Sequence, residues 1–354
     1  MLGAIATPRS PTGAQHELRG SMRKARFVVT GIKRLFDSRP VHAQLVVTYE
    51  CNLACTYCHE YTRGAPLVPF EVLARRIDAL AALGAFAFDL LGGEPLLHPD
   101  IARLVAHIKA TRRGVNFATI ITNAFKLTPE LVDGFNRAGL DCMQVSIDTI
   151  DPEPGLPKSL RSVLPKLAIL AARARFQVKI QTVLTEDSWR QYTQFRELLA
   201  PFDFEFGFSL LHDGAGRIAI RGEHFAELLG EHELFPGMAF FRRHAAEMLV
   251  GDFHRPWKCL GGFKYLYVNP NGRTQYCSQV TGAGRPIESL TLADLRGADM
   301  HKPCEAGCAL GCVRTVSHAM ANPLASLATS VEILADFMRP RAPAVVPIER
   351  APRR

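Results

Sequence analysis

Cys51-Asn-Leu-Ala-Cys55-Thr-Tyr-Cys58 sets three thiols within eight residues and provides no local fourth ligand. Thiolates are the soft donors that iron–sulfur clusters take. A [4Fe–4S] cluster held by only three of them keeps one iron open to another ligand, which separates a reactive cluster from a sealed one. Structural zinc is the rival reading, but zinc takes four ligands, commonly as two close pairs. No second pair follows the triplet, and His59 adjoins Cys58, where chelation alongside it is strained. The apolar run 41–48 reads as a buried strand, so the cysteines fall just beyond its C-terminal end. In a parallel barrel that end carries the active site.

The Cys-x3-Cys-x2-Cys spacing, with Tyr57 before the last cysteine, resembles the signature of the radical S-adenosylmethionine (radical SAM) enzymes. The resemblance implies that Cys51, Cys55 and Cys58 hold a [4Fe–4S] cluster whose open iron chelates SAM. It also implies reductive cleavage of SAM to a 5′-deoxyadenosyl radical that takes hydrogen from substrate, with Tyr57 packed near the adenine. A second motif agrees. The strand-like run 86–91 leads into Gly92-Gly93-Glu94-Pro95, and a helix over 70–83 separates it from the cysteines. Paired glycines let backbone approach a ligand closely, and Glu94 places a carboxylate beside them. The run resembles the family's Gly-Gly-Glu motif, which holds the SAM amino group.

Strands are expected near 41–48, 86–91, 117–122, 142–147, 177–183 and 204–210, with amphipathic helical stretches between them. Six β/α repeats predict an α/β fold, a partial parallel TIM-like barrel, which is also the family's fold. Alternation assigns faces. Met143, Val145 and Ile147 point to the helices, leaving Gln144, Ser146 and Asp148 in the lumen, where Asn123 joins them. Asn123, Ser146 and Asp148 stand where family members contact the ribose and methionyl parts of SAM. Lys179, Gln181, Glu205 and Ser209 are further lumen candidates, and the His212-Asp213-Gly214 loop reads as a connector after the last strand.

The C-terminal third carries a second set of cysteines. Cys259 to Cys277 reads as a hairpin with an Asn271-Gly272 turn that brings its two cysteines together. Cys304, Cys308 and Cys312 follow at spacings that would share one face of a helix. Zinc competes here because four ligands are available. The pattern resembles the auxiliary-cluster extension of radical SAM enzymes, called SPASM or, when shortened, twitch. With five of these cysteines and no Cys-x2-Cys pair, the resemblance implies one auxiliary [4Fe–4S] cluster and leaves open which four are ligands. Cys142 is expected to be a packed core thiol.

Composition narrows the class. Apolar residues make up 47% of 354, without an 18-residue uncharged apolar run or a signal-peptide core, so a cytoplasmic location is expected. Nine cysteines, an odd count, disfavour a complete disulfide framework. A basic stripe over 18–36 could rest on anionic membrane, but its glycines and sparse large apolar residues favour packing on the barrel. The net charge of +8 suits acidic partners, yet no nucleic-acid motif accompanies it. The expected organisation is a basic helical extension (1–40), a radical SAM core (41–212), a linker (213–258), an auxiliary-cluster domain (259–320), and a terminal helix with a Pro/Arg-rich tail (321–354). The expected partners are a small-molecule or lipid-precursor substrate and a reductase or flavodoxin-type electron donor. Two alternatives compete. One is a peptide maturase, which would need a separate leader-binding partner because the N-terminal segment is short. The other is a non-catalytic, zinc-stabilised nucleic-acid-binding protein.

Overall fold

A computed structural model describes residues 29–111, 116–185, 188–202, 204–225, 247–251, 257–280 and 284–321. The first part of the basic stripe, most of the linker, and the expected terminal helix with its Pro/Arg-rich tail lie outside the described residues. Six strands run in parallel: β1 (His42–Thr48), β2 (Ala87–Gly92), β3 (Phe117–Thr122), β4 (Cys142–Ser146), β5 (Gln177–Leu184) and β6 (Glu205–Leu210). Helices α1 (Phe70–Leu83), α2 (Ile101–Ala110), α3 (Pro129–Ala138), α4 (Leu160–Arg173) and α5 (Tyr192–Leu199) alternate with them.

The strands form because apolar side chains recur at every second position. Along β5 each residue alternates between partly buried and buried. Helices start and stop where capping chemistry dictates. Thr128 accepts the Leu131 amide ahead of Pro129, and α3 ends at Gly139 with a left-handed φ of 80°. Leu73, Ile77 and Leu80 of α1 pack with Leu45, Phe88, Ile120, Met143, Val145 and Ile180 in the main core, between sheet and helices. Full burial of each such side chain contributes roughly 1.5–3 kcal/mol. Met143, Val145 and Ile147 are therefore on the helix side, as alternation predicts.

The sheet does not stop at six strands. Its order is β6-β5-β4-β3-β2-β1-β7-β8, with β7 (Tyr265–Val268) parallel to β1 and β8 (Thr274–Gln275) antiparallel to β7. The cysteine hairpin is thus hydrogen-bonded onto the edge of the partial barrel, with Tyr265 opposite His42 and Tyr267 opposite Gln44. Two shorter helices follow, α6 (Leu292–Gly297) and α7 (Gly311–Ala321). Among the described residues, no helix is long and apolar enough to cross a membrane.

Cys304, Cys308 and Cys312 do not share a helix. A single 3₁₀ turn (Glu305–Gly307) follows Cys304, Cys308 is extended (φ −93°, ψ 125°), and α7 begins only at Gly311. Glycines at 307 and 311 weaken helix propagation through this stretch. The three thiols therefore do not line up along one helix face.

Candidate functional site

The cysteine loop grows from the end of β1. Pairing with β2 shifts register between Val46 and Thr48, a bulge of the kind that re-aims a chain next to a site. Beyond it, Gly93 N–H donates to the Thr48 carbonyl and Glu94 N–H to the Glu50 carbonyl, both at 2.8 Å. A Cβ on Gly92 (φ 152°) would lie 2.2 Å from the Thr48 carbonyl oxygen, and one on Gly93 2.2 Å from that of Glu50. The two glycines let the β2 turn lie against the backbone leading into Cys51. Their close approach is to chain, where the sequence suggested a ligand. Gly93→Ala should therefore destabilise the protein by about 3 kcal/mol. Gly297→Ala, with nothing within 4 Å of the added carbon, should be neutral or slightly stabilising. Urea unfolding of the two variants checks this.

Cys51, Cys55 and Cys58 come together. The Cys58 amide donates to the Cys55 carbonyl at 3.1 Å, Cys51 and Cys55 each feel Cys58, and Cys55 also feels Cys51. Burial pushes all three thiols up, Cys55 to about 11, and Lys158 opposes the rise in each. Such thiols ionise when a metal takes the proton's place. A single zinc draws thiolates to about 2.3 Å. Among the described residues no three His, Cys, Asp or Glu side chains are placed as ligands of one metal ion. Three soft thiolate donors without a fourth beside them suit a multi-iron cluster.

Glu94 is fully buried, and its carboxylate knits the surroundings together. Oε1 accepts from the Leu96 amide at 2.9 Å and the Thr122 hydroxyl at 2.6 Å, and Oε2 accepts from the Asn123 amide at 2.8 Å. Burial lifts its pKa to about 6 against these bonds. Asn123 in turn donates through Nδ2 to Asn52 Oδ1 at 3.0 Å and lies 3.8 Å from Cys51 Sγ. The end of β3 therefore holds the cysteine loop directly. Ser146 closes β4 on the lumen side, paired in register with Gln181, whose amide nitrogen donates to Ser209 Oγ at 2.9 Å.

Tyr57 and Asp148 are joined, with the phenol donating to Asp148 Oδ2 at 2.5 Å. The same carboxylate meets Lys158 Nζ at 3.1 Å, and Lys158 lies 4.9 Å over the Tyr57 ring. Asp148 is wholly shielded, and Lys158 retains 13% side-chain exposure. Despite burial, Asp148, Tyr57 and Cys55 drive the Lys158 pKa far above that of a free lysine, so it stays charged. Lys158 was not legible in the sequence. It sits in a loop before α4 that folds back on the cysteines, where Gly155 accepts the Thr56 amide at 3.0 Å. A lysine in a Pro-Lys-Ser stretch carries no signal of that contact.

On the other side of the lumen, β7 brings the second cysteine set alongside. Tyr265 donates to Gln44 Oε1 at 2.5 Å, and Gln44 and His42 meet Asp89 at 3.0 and 2.8 Å. Tyr267 donates to Glu60, which burial raises to about 7. Cys142, at the start of β4, is buried and lies near Lys179. Cys259, Cys277, Cys304 and Cys308 face one another: Cys259 feels Cys277 and Cys304, and Cys308 feels all three. Burial raises each of the four, Cys259 to about 11. Cys312 also feels Cys277, but its sulfur lies 3.6 Å from the Tyr265 hydroxyl, toward Asp89. Glu305 and Lys302 clamp the hairpin, Glu305 accepting the Cys259 amide at 2.7 Å and Lys302 donating to the Cys259 carbonyl at 2.8 Å. The connector after β6 is drawn in as well, since buried His212 accepts the Ala309 amide at 3.2 Å.

A mostly parallel α/β sheet with thiols gathered at the C-terminal end of its first strand defines a cofactor-dependent enzyme architecture. Residues 45–185 match the Radical SAM superfamily. The superfamily's cofactors are SAM and a [4Fe–4S] cluster. GTP 3′,8-cyclase from Chlorobaculum tepidum is 35% identical over 149 residues, 40% of this chain and 44% of that protein. GTP 3′,8-cyclase from Stenotrophomonas maltophilia is 28% identical over 212 residues, 55% of this chain and 63% of that protein. The chain thus spans less than two thirds of the length of these curated relatives. Among solved structures, Streptococcus suis SuiB bound to precursor peptide SuiA superposes with a TM-score of 0.55 at 14% identity, covering 87% of this chain and 74% of that one. Native anSMEcpe with bound AdoMet and Cp18Cys peptide gives 0.56 at 14% identity, covering 84% and 100%. At these identities the likeness is one of fold.

Proposed function

We propose that the chain is a radical SAM enzyme acting on a polar small molecule or lipid precursor bound in the lumen. The observation that carries this reading is the convergence of Cys51, Cys55 and Cys58 at the sheet's C-terminal end, with the Gly92-Gly93-Glu94 turn hydrogen-bonded onto the same loop. A reduced [4Fe–4S] cluster on those thiols would supply the electron that splits the SAM sulfonium and so generates a hydrogen-abstracting 5′-deoxyadenosyl radical. The chain's own residues do the rest. Glu94, with Asn123, would face the SAM amino group and fix the loop. Lys158, kept charged by Asp148, would offset the negative charge of a thiolate-bound cluster and SAM carboxylate. Tyr57 would brace the loop through Asp148. Ser146, Gln144, Gln181 and Ser209 would line the path to substrate with neutral hydrogen-bonding groups.

Cys259, Cys277, Cys304 and Cys308 would hold a second, auxiliary [4Fe–4S] cluster, leaving Cys312 to Tyr265. A flavodoxin-type protein is the proposed electron donor and the cytoplasm the proposed setting. A second reading, peptide modification, is favoured by the fold neighbours, which were solved with peptides bound. The relatives that match by sequence are instead cyclases named for a nucleotide.

The test is anaerobic reconstitution, reduction with dithionite, and chromatography of 5′-deoxyadenosine and methionine after SAM addition. Release of both, stimulated by a polar metabolite fraction above the substrate-free level, is expected. Stimulation by peptides alone would shift the assignment to the second reading. No release from fully loaded protein would refute both.

A further inference from the structure

Arg314 is 2% exposed, an unusual place for a guanidinium. It lies on α7, whose Val313 and Val316 pack in one apolar cluster with Cys259, Cys277 and Cys308. One turn further along α7, Ser317 Oγ accepts the Leu260 amide at 2.9 Å, which fixes this helix against the residue after Cys259. The Arg314 guanidinium sits 4.0 Å over the ring of Trp257, two residues before Cys259. Trp257 is tied to the same segment through its indole N–H, which donates to the Glu305 carbonyl at 2.5 Å. Arg314 thereby packs beside the segment bearing Cys259 and the chain leading out of the Glu305–Gly307 turn to Cys308, and both thiols are among the charges it feels.

Among the described residues two other cations approach the four-thiol set, Lys302 and Arg217. Lys302 is also buried and near Cys259 and Cys304, but its ammonium donates to the carbonyls of Cys259, Ala298 and Met300, and Glu305 and Asp299 offset its charge. Arg217 is near Cys304 and exposed, so water and salt screen it. Arg314 combines burial, fixed geometry and proximity to two of the four sulfurs. A fixed positive charge in a dry setting favours the more negative of two oxidation states. Cluster charge and surroundings are what set such potentials.

We propose that Arg314 is a positioning residue that sets the reduction potential of the auxiliary cluster, its buried guanidinium stabilising the one-electron-reduced form. This rests on the auxiliary-cluster reading above and goes beyond it. The step is a single-electron reduction of the cluster from the 2+ to the 1+ core, with dithionite as reductant and no bond made or broken in the protein.

The experiment is a mediated redox titration followed by electron paramagnetic resonance, on protein in which Cys51, Cys55 and Cys58 are all alanine so that one cluster remains. Arg314→Gln should shift the reduced-to-oxidised ratio at fixed potential at least tenfold toward oxidised, which is about 59 mV for a one-electron couple. Arg314→Lys, which keeps the charge, should stay within about twofold of the parent, as should Arg217→Gln. Should Arg314→Gln fail to hold iron, Arg314→Met, which keeps the aliphatic stem over Trp257, is titrated against the same expectation. An iron-loaded Arg314→Gln or Arg314→Met protein with an unchanged midpoint overturns the proposal. So does an Arg314→Lys shift as large as that of Arg314→Gln, because packing would then be the cause. A parent protein without any second cluster instead removes the auxiliary-cluster reading, and iron analysis reports that separately.

Discussion

Replacing Cys51, Cys55 and Cys58 together by alanine is expected to abolish 5′-deoxyadenosine formation and to lower iron from about eight to about four atoms per chain. The loss should be complete because, among the described residues, the donors beside the loop are exposed or already engaged, Glu60 by the Tyr267 hydroxyl. His59 is exposed and adjoins Cys58, and Glu94 has both oxygens engaged by Leu96, Thr122 and Asn123. The remaining iron should be unaffected, since Cys259, Cys277, Cys304 and Cys308 depend for position on Glu305, Lys302 and α7. Folding should also survive. The bare thiols are protonated at neutral pH, Cys55 rising to about 11 through burial, so truncating them uncovers no buried charge. Iron analysis and circular dichroism of one preparation would check both halves. Residual SAM cleavage in the triple variant would place the reactive cluster elsewhere.

Lys158→Met should be the most damaging single change away from the cysteines, costing about 3–5 kcal/mol of stability. The reason is electrostatic. Asp148 is fully shielded, and its Oδ2 faces Lys158 at 3.1 Å while Oδ1 accepts the Val183 amide at 3.1 Å. Without Lys158 the carboxylate is a buried charge whose remaining partners are neutral donors. Adding Asp148→Asn to Lys158→Met should return much of the loss, because the stranded charge disappears with it. Urea midpoints of the two single variants and the double variant form the cycle. Simple additivity would show that the pair is not coupled. The cost also has a functional side. Tyr57 and Cys55 share this cation, so the cysteine loop should loosen and the variant should load less iron at the N-terminal site.

Much of this was legible because it follows from period and spacing. The helix over 70–83 is α1, and alternation on β4 correctly assigned Met143, Val145 and Ile147 to the helix side. The cysteine triplet and the Gly-Gly-Glu turn were visible as local patterns. What escaped depends on contacts between distant segments. Nothing around Tyr265 announces that β7 will pair with β1, although that pairing carries the second cysteine set to the lumen. Lys158 reaches the cysteine loop only because a connecting loop doubles back, and Gly92 and Gly93 turned out to accommodate backbone. The regular spacing of Cys304, Cys308 and Cys312 suggested a helix, but intervening glycines and an extended Cys308 broke it. Of the five C-terminal thiols, the one set apart is distinguished by a tyrosine on another element.

The central claim is an iron at Cys51, Cys55 and Cys58 that is free to bind SAM. Electron–nuclear double resonance on the reduced protein, with SAM isotopically labelled at its amino nitrogen and carboxylate oxygens, addresses it directly. Hyperfine coupling of both labelled atoms to the cluster, absent from the triple alanine variant, is the predicted result. A reduced, fully loaded cluster showing no coupling to either atom at saturating SAM would contradict the account.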